Sequence, residues 1–200
     1  MNVLPYESRV EGWFNLRVLD AEGNFLRETG WFKNLITNQG LDRIGTARDW
    51  LKYSQVGTGN TAPANSNTGL VTYVAGAIAD SGSAIRSIAG SPDYYSYTTL
   101  TYVYTLGAVV GNMAEVGVGW AASGSTLFSR ALIVDGGGSP TTLTIFVTEQ
   151  LQVIYQFRVY PPLVDAGGNV TISGTNYTYN IRAAMIGTYS NLLSSSDYGW

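Results

Sequence analysis

An all-β fold, an antiparallel β-sandwich with one short helix near the N-terminus, is what three features of this 200-residue chain predict. Apolar and polar residues alternate with period two in several segments. Thr, Tyr and Val dominate the longer runs, and clusters of Gly, Asn and Ser separate them. Only one segment carries a helical period.

Taken in order, Phe14, Leu16 and Val18 share one face of a strand while Asn15 and Arg17 share the other. Asp20-Ala21-Glu22-Gly23-Asn24 is a turn, because Gly and Asn accept positive φ at little cost. Phe25 to Thr37 then returns as a second strand. The helix follows, with Asn38 as its N-cap and Leu41, Ile44, Ala47 and Leu51 as its apolar stripe, weakened at Gly45. Gln55 to Gly69 reads as an exposed loop, rich in Gly, Thr, Asn and Pro. Tyr95 to Leu106 is a strand, as are the segments holding Leu143, Ile145 and Val147 and holding Leu151, Val153, Tyr155, Phe157 and Val159. Glu149-Gln150 is read as the turn joining the last two, and Pro161-Pro162 stops the run. A final hairpin, near Asn169 to Ile172 and Tyr177 to Met185, turns at Ser173-Gly174-Thr175-Asn176. Eight to ten strands of this kind make a two-layer sandwich, and no repeat of fixed period points to a solenoid or propeller.

Charge divides the chain unevenly. Residues 1–52 hold 14 of the 25 charged side chains, and residues 53–200 hold 11. The first stretch is read as a hairpin plus helix that acts as a docking element, continuous with a sandwich body over 53–200. The ion-poor outside of that body is expected to contact other subunits, since interfaces are depleted in Lys, Glu and Asp and enriched in aromatics. Trp13, Trp31, Phe32, Tyr95, Tyr97, Tyr102 and Tyr104, with Tyr198 and Trp200 at the C-terminus, are therefore the candidate interface residues.

The absence of Cys and His excludes disulfides, zinc or iron–sulfur sites with those ligands, Ser-His-Asp triads and histidine general bases. Net charge is −3 and the only lysines are Lys33 and Lys52, so no basic cluster offers itself to nucleic acid. No apolar run approaches the roughly 18 to 20 residues of a membrane span, and the N-terminus lacks the features of a signal peptide. Gly57-Thr58-Gly59-Asn60-Thr61 lacks the Lys-Ser/Thr of a P-loop, and Asp135-Gly136-Gly137-Gly138 supplies only one carboxylate for a calcium shell. Glu115, Asp135, Glu149 and Asp165 are the carboxylates a sugar hydrolase would draw on. Tyr94, Tyr95, Tyr97, Tyr102 and Tyr104 have the residue type that stacks on a host polysaccharide.

Three groups of passages carry a likeness. Trp31-Phe32-Lys33-Asn34-Leu35-Ile36-Thr37-Asn38-Gln39-Gly40-Leu41-Asp42-Arg43-Ile44 precedes Val56-Gly57-Thr58-Gly59-Asn60-Thr61-Ala62-Pro63. Gly111-Asn112-Met113-Ala114-Glu115-Val116-Gly117-Val118-Gly119-Trp120 is followed by Leu127-Phe128-Ser129-Arg130-Ala131-Leu132-Ile133, and last comes Leu151 to Tyr160. In this order they resemble virion structural proteins of tailed bacteriophages, of the kind found in tails, necks, fibres or capsid decoration. The resemblance implies a non-enzymatic assembly role in the virion, with no catalytic residues and no cofactor, and with other virion proteins and copies of itself as partners. A host-surface glycan-binding module of a fibre or decoration protein is the alternative, and an enzyme acting on envelope sugars is a third.

Overall fold

The computed structural model describes residues 8–80, 85–89, 95–162 and 165–181. Among them lie fifteen strands and one helix. The order is β1 (Arg9–Leu19), β2 (Phe25–Glu28), β3 (Phe32–Lys33), β4 (Leu35–Ile36), α1 (Asn38–Ile44), β5 (Tyr53–Gly57), β6 (Tyr73–Ile78), β7 (Ile85–Ala89) and β8 (Tyr95–Val103). There follow β9 (Gly111–Met113), β10 (Glu115–Gly119), β11 (Leu127–Leu132), β12 (Leu143–Ile145), β13 (Gln150–Tyr160), β14 (Ala166–Ile172) and β15 (Thr175–Ile181).

The fold is all-β and antiparallel. One sheet runs β2-β1-β13-β8-β7, with β3 also on β1; a second runs β4-β11-β10-β5-β6; β12-β9 and β14-β15 are separate pairs. Their spine is the β1–β13 ladder, eleven residue pairs from Arg9↔Tyr160 to Leu19↔Gln150. Period-two alternation turns Phe14, Leu16 and Val18 of β1 and Leu151, Val153, Tyr155 and Phe157 of β13 into one apolar core. Val56, Val116, Val118 and Phe128 of the second sheet belong to that same core. Trp50 closes it, its ring 4.7 Å from Phe128 and 4.9 Å from Phe157, with Phe128 and Phe157 edge-on at 5.8 Å. Two sheets sharing a single core fit a β-sandwich.

Residues 25–36 depart from the expected single strand. Gly30, at φ +76°, breaks the run. β2 and β3 stay on the first sheet, while β4 pairs with β11 and carries the chain to the second. Residues 9–36 thus contribute strands to both sheets.

The helix also differs from expectation. Thr37, not Asn38, is the N-cap: its backbone is extended and its Oγ1 accepts from Gly40 N at 3.0 Å. Leu41 and Ile44 are exposed, at 45% and 39%. Gly40 is the buried residue of α1, and a Cβ there would lie 2.2 Å from the Phe128 carbonyl oxygen. The helix therefore packs on β11 through bare backbone instead of through an apolar stripe.

No β12–β13 hairpin forms. β12 pairs with β9, Leu143 opposite Met113, and the turn between β12 and β13 falls at Val147-Thr148, closed by the bond from Glu149 N to the Phe146 carbonyl at 2.9 Å, while the Glu149 carboxylate accepts two hydrogen bonds from Arg27 at 2.7 Å each. It also accepts from Phe146 N. The final hairpin does form, its two-residue turn set by positive φ at Ser173 (50°) and Gly174 (81°). Met185 lies outside the described residues.

Candidate functional site

The β1–β13–β8 register brings three of the candidate aromatics together on the outer face of the first sheet. Glu11 lies opposite Arg158, and Arg158 opposite Tyr97. Odd positions of β1 and β8 and even positions of β13 share this face, which places Trp13, Tyr95 and Tyr97 beside Arg158 and Tyr160. The Arg158 guanidinium lies over two rings, 4.5 Å from the centroid of Trp13 and 4.8 Å from that of Tyr95. Tyr95 packs in turn on Tyr97 (5.7 Å) and Tyr160 (5.0 Å). Arg9 covers the Tyr160 ring at 3.9 Å, and Lys33 lies 5.1 Å from Trp13. Such cation–aromatic contacts each contribute roughly 0.5 to 1 kcal/mol at exposed sites.

Glu11 organises this platform. It accepts from Lys33 Nζ at 2.9 Å, Tyr160 Oη at 2.9 Å and Trp13 Nε1 at 3.1 Å. Partial burial opposes its ionisation, but the hydrogen bonds from Lys33, Tyr160 and Trp13 outweigh that and hold its carboxyl below the usual range. Trp13, Tyr95, Tyr97 and Arg158 are all partly exposed. An open cleft of about 590 Å³, lined by Thr29, Gly30, Trp31, Lys33 and the Asp135–Gly138 loop, adjoins the platform through Lys33.

The other candidates lie elsewhere. Trp31 is 44% exposed at that cleft. Phe32 is buried against Phe14, ring centroids 6.0 Å apart. Tyr102 and Tyr104 are interior and have no face for a partner: Tyr102 Oη donates to the Leu51 carbonyl at 2.6 Å, and Tyr104 Oη bonds Ser54 Oγ at 3.0 Å. Burial pushes both phenols well above their ordinary pKa. Tyr94, Tyr198 and Trp200 lie outside the described residues.

Glu115 and Glu149 are occupied structurally. Glu115 is wholly buried; its Oε2 accepts from Arg130 Nε at 2.8 Å and from Val71 N, and its Oε1 from Gly59 N and Thr72 N. Arg130, also wholly buried, donates onward to Asn67 Oδ1 and the Thr61 carbonyl. The Gly-Thr-Gly loop thus directs its amides at a carboxylate the chain supplies itself, and the loop over 58–72 is tied down where a free excursion was expected. Asp135 Oδ1 accepts from Gly137 N and Ser139 N, closing its own turn. Among the described residues no three His, Cys, Asp or Glu side chains gather to hold a metal ion, and no helix is long and apolar enough to cross a membrane.

A second surface feature escaped sequence reading. Phe25 (59%), Leu26 (45%), Leu106 (44%), Phe146 (60%) and Val147 (66%) are exposed. They converge at one end of the molecule: Arg27, next to Leu26, donates to the Thr144 carbonyl and to Glu149, and Val147 lies against the turn at Gly107. Arg158, Glu11 and Tyr160 were likewise missed, although the alternation in 151–159 already placed Arg158 on a polar face. No protein-family model, curated protein or solved structure matches the chain.

Proposed function

We propose that this chain is a non-enzymatic structural component of a bacteriophage particle, an oligomeric protein of the neck, tail or fibre that mediates virion assembly. The observation that carries the reading is the cluster of five large apolar side chains, 44–66% exposed, at one end of the body. Large apolar side chains left exposed together on adjoining segments mark protein contacts. The ion-poor outside supports it further. Of the charged side chains after residue 52, Glu115 and Arg130 are wholly buried and Glu149 is 8% exposed, so this surface is poorer in ions than its composition. The phage-like passages supply the identity of the assembly, with other virion proteins and further copies of this chain as partners.

Light scattering on the purified protein tests the reading. A closed oligomer is expected; six or twelve copies would place it on the neck or tail axis, and three in a fibre or decoration. A monomer whose antibodies leave particles unlabelled overturns it.

One observation favours a second reading, the host-surface glycan-binding module. The platform of Trp13, Tyr95, Tyr97 and Tyr160 presents aromatic surface and fixed polar groups together, the combination that sugar recognition uses. Saturable binding on a glycan array supports it, and none at millimolar glycan removes it.

A further inference from the structure

We infer that the outer face of β1, β13 and β8 is a binding site for a carboxylate-bearing saccharide, with Arg158 as the group that takes the carboxylate and Trp13, Tyr95 and Tyr97 as the surface on which the sugar rings lie. The inference rests on the glycan-binding reading above and names its site and ligand class.

The argument begins with charge. Lys33 is matched by Glu11 at 2.9 Å. Arg158 has no such match: its Nε donates to Gln156 Oε1 at 2.6 Å, the carboxylate opposite it, Glu11, is taken up by Lys33, Tyr160 and Trp13, and among the described residues no carboxylate forms an ion pair with Arg158. A guanidinium left with a neutral partner on a partly exposed face attracts an anion. Arg forms a planar fork whose N–H groups fit a carboxylate, and the rings of Trp13 and Tyr95 hold that plane in place in advance. Preorganisation of this kind removes an ordering cost that a free surface arginine would bear at the moment of binding.

The remaining chemistry selects the rest of the ligand. A sugar ring has an apolar C–H face that lies on aromatic surface, and hydroxyls that meet the Tyr97 and Lys33 polar groups. One unmatched guanidinium suits a ligand with isolated carboxylates. It does not suit a phosphate backbone, whose recognition needs several cations along a track. The Trp31 cleft adjoins the platform through Lys33, so an oligosaccharide of several units can continue beyond the stack.

The test is calorimetric titration of the full chain with oligouronate and oligosialate hexamers, with neutral maltohexaose and with oligo-dT. Arg158→Gln removes the charge while leaving the rings, and Trp13→Tyr keeps an aromatic face should the first variant fail to fold; thermal melts check both. The expected result is binding of an acidic hexamer that weakens about tenfold or more in Arg158→Gln, as loss of a charge-assisted hydrogen bond requires. Binding is also expected to weaken at high salt. Equal affinity for neutral and acidic sugars, unmoved by Arg158→Gln, overturns the inference and leaves glycan binding standing. Absence of any sugar binding overturns both, and tight oligo-dT binding with none to sugars identifies the face as a nucleic-acid surface instead.

Discussion

Replacing Glu115 by Gln should strip the second sheet of its buried ionic anchor. The amide keeps one oxygen, which still accepts from Gly59 N and Thr72 N. Its NH₂ takes the place of Oε2 and faces two donors, Arg130 Nε–H at 2.8 Å and Val71 N–H at 3.1 Å. Arg130 has no access to water, so its charge stays buried with neutral acceptors, Asn67 and the Thr61 carbonyl. Breaking a buried ion pair by removing one partner costs about 3 to 5 kcal/mol. At roughly 2 to 4 °C per kcal/mol for a domain of this size, Tm should fall by about 6 to 20 °C at pH 7. Calorimetry measures this, and limited proteolysis reads the same event locally, because the loop over 58–72 loses its tether and becomes cleavable. Asp135→Asn, in an exposed turn, is the control. A Glu115→Gln protein melting within 2 °C of the parent with an uncut loop would refute the reasoning, and would mean that the three backbone amides, not the arginine, hold the carboxylate's place.

Three further outcomes follow from the same structure. Hydrogen bonds from Arg17 hold Glu28, and those from Arg27 hold Glu149, below the usual carboxylate range, as those from Lys33, Tyr160 and Trp13 hold Glu11. Because these pKa values are depressed in the folded state, their stabilisation is present above about pH 4.3 and is lost as pH falls through the folded values. With no histidine, thermal melts should be flat between about pH 6 and 8, and a step near pH 6.5 would contradict this. Gly40→Ala should lower the urea midpoint by the equivalent of about 1 to 3 kcal/mol, since its Cβ meets the Phe128 carbonyl oxygen at 2.2 Å; an unchanged midpoint would show that α1 shifts freely on β11. Phe146→Ser with Val147→Ser should reduce the solution mass while leaving Tm nearly unmoved, both side chains being more than half exposed; an unaltered mass would remove this end from the assembly interface.

Local chemistry made β1 and the final hairpin legible. Alternation over Phe14 to Val18 marked the buried face, and Ser173-Gly174-Thr175-Asn176 marked the turn, of which Thr175 and Asn176 already belong to β15. The helix deceived because its contact is made by the backbone of Gly40, which leaves no apolar signature, while Leu41 and Ile44 carry the signature and face outward. The β12–β13 hairpin deceived because adjacency in sequence does not fix pairing: β12 finds β9 some thirty residues earlier. Within the site, residue type singled out Trp13, Tyr95 and Tyr97, but only the register of strands far apart in sequence shows that they meet. Parity would have sorted part of the rest. Tyr97 and Tyr102 are five positions apart on one strand, so a period of two sends them to opposite faces, and the even-numbered tyrosine is the buried one.

The eleven-pair ladder between β1 and β13 also governs how the chain is born. Leu19 pairs with Gln150, 131 residues downstream, and Arg9 with Tyr160, farther still. At about 5 to 20 residues per second, β1 waits roughly 7 to 26 s on the ribosome before its partner has been made. Throughout that interval Phe14, Leu16 and Val18 lack the part of their core that Leu151, Val153, Tyr155 and Phe157 supply. Another nascent β1 offers the same unpaired edge, and at high synthesis rates the two compete with β13 for it. Chains cut short before residue 150 should therefore accumulate as insoluble material, and slower synthesis with free chaperone should favour the soluble form.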